Sequence, residues 1–481
     1  MRIRLPSDEA VLALCSRAVS LYAVFEVWGE GATHEEVHKQ VKEYLETHPE
    51  ARRRVDECSF KFKVEGFNRH YSFEEQLRLI RSFEWMQWGG NAEMHNPQER
   101  FWILELVRPQ APDEESPLKV WLVRQLSLAA RPLVDQYTLK RRTYLGTTSM
   151  EAEISFFTAN QALVKQGSLI MDPFVGTGSL LVTCAALGAY TIGADIDWEV
   201  LVGKEKGKGV RSNFKQYGLE DRLLDLIRFD HSKHNVLRHE RPFLDAIVCD
   251  PPYGIRAGAK KVGVRAHTRA RHAKAGTVHE PIHSNPADPG WLPHVPQCVL
   301  YSVPEVLSDL LDFSARSLLM GGRLVYWLPT TIDYTDADLP HHPCFNIVSN
   351  SEQKLTLYFA RRLITMEKVK EYTAGDVSFV PEQPSNGEEP AHANIAAKVT
   401  RQAQRVEEKG SDNQLPVWAT KSMGRVTGVE LKRMAKQQRK ERRKAAAEEA
   451  AANASSSAST TSATTSSSSQ MESATEPSST S

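Results

Sequence analysis

Hydrophobic positions along the chain fall into short runs with two rhythms, and these predict strands and helices in alternation. Residues 19–28, Val-Ser-Leu-Tyr-Ala-Val-Phe-Glu-Val-Trp, are strand formers with partial period-two spacing. From Thr33 to Leu45 the pattern turns polar and helical, and Thr33-His34-Glu35-Glu36 has capping-box spacing. Cys58–Gly66 puts Phe60, Phe62 and Val64 on one strand face, and Ser72-Phe73-Glu74-Glu75 repeats the box, opening a helix expected through Trp85. Phe101–Val107 and Val120–Val123 read as further strands. Strand–helix alternation of this kind implies α/β or α+β packing.

The pattern then resumes with buried runs bounded by glycine and proline. Thr148 and Glu151 have capping-box spacing, so a helix is expected from near Ser149 to about Gln166, with Gly167 as its C-terminal cap. Ser168–Met171 reads as a short buried strand, followed by a helix through Leu187, and Tyr190–Asp195 as the next strand. Leu226–Asp230 and Ala246–Cys249 continue the series, and Ser302–Leu319 reads as a helix. Gly321-Gly322 reads as a turn, with Arg323–Leu328 and Leu355–Phe359 as the last strands. Beyond about residue 366 the periodicity fades. Leu431–Lys444 is a basic helix candidate, and the Ser/Thr/Ala tract to Ser481 buries too little apolar surface to fold.

Composition narrows the classes. The chain has 481 residues, more than one domain on length, and 60 basic against 60 acidic residues. A nucleic-acid role therefore has to come from local charge. Six scattered cysteines with no C-x-x-C spacing fit a reduced compartment. Asp8 and Glu9 spoil a secretory signal after Met1-Arg2-Ile3-Arg4, and no apolar run is long enough for a bilayer. The expectation is a soluble cytoplasmic protein with no membrane partner.

Candidate chemistry sits at the strand ends. Asp172-Pro173-Phe174-Val175-Gly176-Thr177-Gly178-Ser179 joins a strand to a helix through glycines, which lets ligand atoms approach the backbone. Leu181 stands where the dinucleotide fingerprint needs its third glycine, and Asp172 would repel a pyrophosphate. An acid there suits S-adenosylmethionine, which carries an ammonium and a sulfonium. Asp195 ends the next strand and is expected at the ribose hydroxyls, with Asp197 as its less certain neighbour.

Asp250-Pro251-Pro252-Tyr253-Gly254 is the fourth acidic strand end. Its prolines stiffen an extended loop that offers a carboxylate, carbonyls and a ring. Asp250 and the Pro251 carbonyl can accept hydrogen bonds from an exocyclic amine, while Tyr253 stacks on the base. Cys249 reads as a core thiol. Arg256 to Lys274 holds seven basic residues and no acid, suited to phosphate. His267, His272, His279, His283 and His294 show no metal spacing.

Ser59–Asn68, Asn96-Pro97 and Phe101-Trp102 resemble the catalytic subunit of the eukaryotic tRNA guanosine-10 N2-methyltransferases, as do the two glycine and D-P-P-Y motifs. The resemblance covers about residues 20–365 and departs slightly at Ala194-Asp195. It implies a small N-terminal domain (1–56), a THUMP-type α/β RNA-binding domain (57–138) and a largely disordered tail (367–481). Between them, 139–366 would form a class I (Rossmann-like) methyltransferase domain with a seven-stranded, mostly parallel sheet ending in a hairpin. By the same resemblance Tyr144–Gln161, including Thr148 and Ser149, closes over the methionine end of the cofactor, and Asp230 lies beside the adenine amino group. It implies methylation of guanosine N2 at position 10 of tRNA, with a small zinc-binding activator subunit as partner. Phe60, Phe62, Trp85, Trp88 and Trp102 could stack on bases, though their spacing favours core packing. The rival readings are a DNA adenine N6-methyltransferase, which uses a similar loop, and a catalytically idle tRNA-binding scaffold.

Overall fold

A computed structural model describes residues 2–108, 117–205, 207–236, 241–253, 259–263, 297–356, 359–381 and 392. Most of the basic segment (all but Lys260 and Lys261), the five histidines between 267 and 294 and the basic helix candidate at 431–444 lie outside the described residues. The Ser/Thr/Ala tract lies outside them as well. No helix of the described residues is long and apolar enough to cross a membrane.

The N-terminal half is built on a four-stranded sheet. Its strands are β1 (Ala23–Gly31), β2 (Phe60–Phe67), β3 (Glu99–Leu106) and β4 (Lys119–Leu128), in the order β1-β4-β3-β2. β2 runs parallel to β3, and the other pairs are antiparallel. Because β1 pairs with β4, the sheet runs across the expected boundary between residues 56 and 57. Helices α1 (Asp8–Cys15), α2 (His34–Thr47), α3 (Pro49–Glu57) and α4 (Phe73–Arg81) complete this half. Ser72 makes the full reciprocal capping box with Glu75. Thr33 accepts from Glu36 N, but the Glu36 carboxylate turns to Ala32 N, so that box is only half made. The helix expected through Trp85 stops at Arg81, and a separate 3-10 turn covers Glu84–Met86.

Val37, Val41 and Leu45 of α2 pack with Trp28, Phe101, Ile103 and Leu122, and Phe60, Phe62, Trp85 and Trp88 close around them. Trp102 is buried on the opposite face, with Lys63 Nζ 4.1 Å from its ring. Phe60, Phe62, Trp85, Trp88 and Trp102 are thus packed residues, as their spacing favours, whereas Tyr22, Phe67 and Phe73 are exposed. An ionic network ties four elements together. Arg124 Nε donates to Glu26 at 2.7 Å and its Nη1 to Glu99 at 3.2 Å, while Arg54 holds the other Glu99 oxygen at 2.6 Å.

The C-terminal half is a seven-stranded sheet in the order β12-β13-β11-β8-β5-β6-β7. Its strands are β5 (Leu169–Asp172), β6 (Tyr190–Asp195), β7 (Leu223–Arg228), β8 (Leu244–Cys249), β11 (Leu318–Thr331), β12 (Phe345–Lys354) and β13 (Phe359–Lys368). Five strands are parallel, and β13 pairs antiparallel with both β11 and β12. Helices α6 (Ala152–Gln161), α7 (Ser179–Ala186), α8 (Trp198–Val202), α9 (Val210–Gln216) and α10 (Val303–Ser317) pack around it, after the short α5 (Pro132–Gln136). A two-stranded ribbon, β9 (Lys260–Val262) with β10 (Cys298–Leu300), stands beside this sheet in chain order. The fold is α/β, with the seven-stranded, mostly parallel sheet that was expected.

Three expectations fail for local reasons. The helix expected from Ser149 to Gln166 is α6, which starts at Ala152, so the expected Thr148–Glu151 box is not made: Glu151 itself stands at the N-cap, with no side-chain cap bond. It ends at Gln161, where Leu163 turns left-handed (φ +51°) and delivers Val164 to the core; Gly167 is not its cap. Gly321-Gly322 is no turn between elements but an irregularity inside β11, where the register against β8 slips and Gly321 takes φ +75°. Leu355 and Thr356 fall between β12 and β13 rather than in a strand, since β12 is a polar edge strand that alternation of apolar residues does not reveal.

Removing Arg124 leaves two carboxylates in the sheet with one cation fewer. Arg124→Met should destabilise the N-terminal half by about 3 kcal/mol, read as an earlier urea transition in tryptophan fluorescence.

Candidate active site

The chain threads β5, β6 and β7 toward one side of the sheet and then returns to place β8 on the other side of β5. Strand order therefore reverses between β5 and β8, and ligands of open α/β sheets bind outside the carboxyl ends at such a reversal. Register defines the shape there. Asp172 sits opposite Gly193 of β6, and Met171 opposite Ile247 of β8. Asp195 and Asp250 thus each stand two residues further along than Asp172, or about 7 Å at strand rise. Asp172 forms the floor of a notch with Asp195 and Asp250 as its walls.

Asp172 is 2% exposed, and its Oδ1 accepts the Phe174 N–H at 3.0 Å. Burial raises its pKa well above the ordinary carboxylate range, and the charges of Asp195 and Asp250 push the same way. Asp195 is also raised, chiefly by burial, although it accepts N–H bonds from Gly176 at 3.1 Å and Asp197 at 3.0 Å. Acids held this way favour a cationic ligand, whose charge relieves their repulsion. Phe174 lies in the same loop, edge-on to the buried His231, whose pKa burial depresses to about 3.

The two glycines do different work. Gly176 (φ +51°) faces open space: a Cβ there would meet nothing nearer than the Phe174 carbonyl at 4.0 Å. Gly178 (φ +82°) is packed, with Val210 Cγ1 only 2.7 Å from a Cβ placed on it. Gly176 leaves its backbone open to approach, and Gly178 lets α7 approach α9. Ser179 is buried, its hydroxyl accepting from Arg142 Nη1 at 2.7 Å and Met150 N at 3.2 Å. Ser149 accepts from Gly146 N and shares a hydrogen bond with Thr177 at 2.8 Å. Thr148 is exposed on the same segment.

Asp197 is exposed and caps α8 through Glu199 N at 3.0 Å. Asp230 lies two residues past β7. One of its oxygens accepts from Ser232 N at 3.0 Å and the other from Val262 N at 2.8 Å, so it also holds the β9 strand. Asp250 follows β8 directly, with Pro251 buried and Pro252 and Tyr253 half-buried; Gly254 lies outside the described residues. Burial drives the Cys249 thiol well above its ordinary pKa, as suits a core thiol.

Two residues that hold the site had no motif to mark them. Asn213 of α9 exchanges hydrogen bonds with both backbone groups of Tyr144 and donates to the Thr177 carbonyl, stitching residues 143–149 to the glycine loop. Its signal was the amphipathic run Val210–Tyr217. Arg361 of β13 reaches Asp250 from a strand distant in sequence, and no local pattern announces that.

Comparison with known proteins agrees with this arrangement. A family model described as "Tmrp11 THUMP N-terminal domain" matches residues 1–131, and one described as "RMKL-like, methyltransferase domain" matches 140–272. The tRNA (guanine(10)-N(2))-methyltransferase of Rattus norvegicus is 37% identical over 388 residues, covering 78% of this chain and 80% of the relative. The chain belongs to the tRNA (guanine(10)-N(2))-methyltransferase family. The Homo sapiens member is 36% identical with the same coverage. Among solved structures, TrmN from Thermus thermophilus is similar at 15% identity and TM-score 0.35, covering 77% of this chain and 88% of that one. Within this family member, the methyltransferase-domain match spans the glycine loop, the four acidic strand ends and the D-P-P-Y loop.

Two outcomes follow from the geometry. The native state holds the Asp172 proton more tightly than the unfolded chain does, so this group's stabilisation is present at low pH and lost as pH rises through its native midpoint. Ligand-free Asp172→Asn, which keeps the Phe174 bond, should therefore melt above the wild type, with a gap that widens from pH 4 to pH 8; each kcal/mol relieved appears as about 2–4 °C in calorimetry. Gly178→Ala should cost about 2 kcal/mol or more from strain and overlap, whereas Gly176→Ala should cost about 1 kcal/mol. Chemical denaturation separates the two.

Proposed function

We propose that this chain transfers a methyl group from S-adenosylmethionine to the exocyclic N2 of guanosine at position 10 of tRNA; the names of its relatives state methylation at that guanine nitrogen for them. The observation that carries the reading is the notch of Asp172, Asp195 and Asp250 at the reversal of strand order, with Pro251-Pro252-Tyr253 on its rim. A buried acid at the floor with two more as walls suits a ligand bearing an ammonium and a sulfonium, and the open backbone at Gly176 leaves room for it. S-adenosylmethionine supplies an electrophilic methyl group there.

Within this reading Asp172 holds the ammonium, and Asp195 accepts from the ribose hydroxyls, with Asp197 beside it. Asp230 lies toward the adenine. Phe174, Gly176, Gly178 and Ser179 shape the loop, and Thr148 and Ser149 close the methionine end. Asp250 and the Pro251 carbonyl accept the two N2 hydrogens of guanine. That localises a lone pair otherwise spread into the ring and aims it along the line of displacement. As the nitrogen–carbon bond forms and the carbon–sulfur bond breaks, the nitrogen becomes cationic and releases one proton toward Asp250 and solvent. Pro252 stiffens the loop, and Tyr253 stacks on the base.

The N-terminal half, reaching to 138, binds the tRNA, and the half from 139 to the end of β13 performs the transfer, with the tail beyond it. A small zinc-binding activator subunit is the partner, on the strength of the family resemblance. The compartment is the cytoplasm, which six free cysteines favour.

The test is nucleoside analysis of tRNA carrying G10 after incubation with the full chain, the activator subunit and labelled methyl donor. N2-methylguanosine is expected, and Asp250→Ala should reduce transfer by about 10³-fold or more while tRNA binding persists. N6-methyladenosine as the product, or none at all, would refute the reading.

A further inference from the structure

Asp250 shares the crevice with an arginine that is held by a stack and a hydrogen bond. Arg361, in β13, pairs across the sheet with Pro329 of β11 and Gln353 of β12. Its guanidinium carbon lies 4.3 Å over the Trp327 ring, and its Nε donates to Gln353 Oε1 at 2.7 Å. Trp327 is buried and is itself fixed, its indole N–H donating to Thr158 of α6 at 3.2 Å. With stack and anchor in place, Arg361 Nη1 points to Asp250 Oδ2 at 3.9 Å, an ion-pair distance beyond hydrogen-bond reach. The two side chains are 15% and 24% exposed. The neighbouring Arg362 engages Tyr334, Asn350 and Glu352 instead, as strand alternation requires.

We propose that Arg361 is a positioning residue for methyl transfer: stacked on Trp327 and anchored by Gln353, it keeps the Asp250 carboxylate ionised and oriented as an acceptor beside the other acids of the notch. This rests on the methylation reading above. Among the described residues, charged and titratable groups approach Asp250 from several strands. Asp172 presents a like charge from β5, with Asp195 behind it on β6. Cys249 adds a neutral thiol from β8, and β11 places the neutral Tyr326 hydroxyl beside that thiol. Arg361 brings the opposing charge from β13. A protonated Asp250 would donate where the amine needs an acceptor, and the lone pair of the amine would stay in the ring. A cation that is stacked and anchored does this through its charge, at 3.9 Å and without itself donating a direct hydrogen bond to the carboxylate.

The test reads the carboxylate itself. Aspartate carboxyl carbons are labelled with ¹³C in the full chain, the Asp250 signal is assigned by its loss in Asp250→Asn, and its midpoint is followed by NMR. In Arg361→Met and Arg361→Gln the midpoint should rise by about one pH unit or more, and Arg361→Lys should return most of the shift. In methylation assays with the activator subunit, the acidic limb of the kcat profile should move up by the same amount, so that kcat falls about tenfold at pH values below both midpoints and little above them, with little change in KM for tRNA. An Asp250 midpoint unchanged in both neutral variants overturns the proposal. A shifted midpoint without any N2-methylguanosine from the wild type overturns instead the methylation reading, and leaves Arg361 as the charge partner of Asp250.

Discussion

The site depends on one constraint: carboxyl groups are held together at the reversal of strand order, where burial and mutual repulsion both oppose their ionisation. Asp172 at the floor cannot move away from its neighbours, because its position is the end of a central strand paired on both sides. Its Oδ1 is spent on the turn that starts the glycine loop. The fold therefore carries an unfavourable interaction in the ligand-free state that a cationic ligand relieves. That makes the acids selective for charge before any detailed contact is made.

Around this floor, the structure is stitched by side chains from distant parts of the chain. Asn213 joins the 143–149 segment to the loop at Thr177, and buried Arg142 reaches Ser179 at the first turn of α7. α6 follows that segment and serves two neighbours. Its Asn160 exchanges hydrogen bonds with Arg17 of the N-terminal half, and its Thr158 fixes Trp327 beneath Arg361. Val19 extends the link by packing into the core of the catalytic half. The half read as RNA-binding and the loop read as catalytic thus share a short, packed chain of contacts.

Legibility followed range. Strand ends with acids, the capping box at Ser72, and the stiff Asp250–Tyr253 loop are local patterns, and each appears where its pattern stood. The polar edge strand β12 escaped because an edge facing water needs no apolar alternation. The early end of α6 escaped because the left-handed turn at Leu163 is enforced by burying Val164, which outweighs local preference. The motif glycines look alike in sequence, and only packing separates the open Gly176 from the crowded Gly178.

By itself, the sequence determined that acids would close successive strands and that a rigid, acceptor-rich loop would follow the fourth, since backbone stiffness and strand periodicity are local properties. It also carried the family. Tertiary structure alone decided that Asp172 lies two residues below Asp195 and Asp250, because depth is a matter of register between strands far apart in the chain. It alone brought Arg361 to Asp250 across 111 positions. A charge pair of that separation exists only once β13 has folded back along β11, and no pattern within either strand contains it.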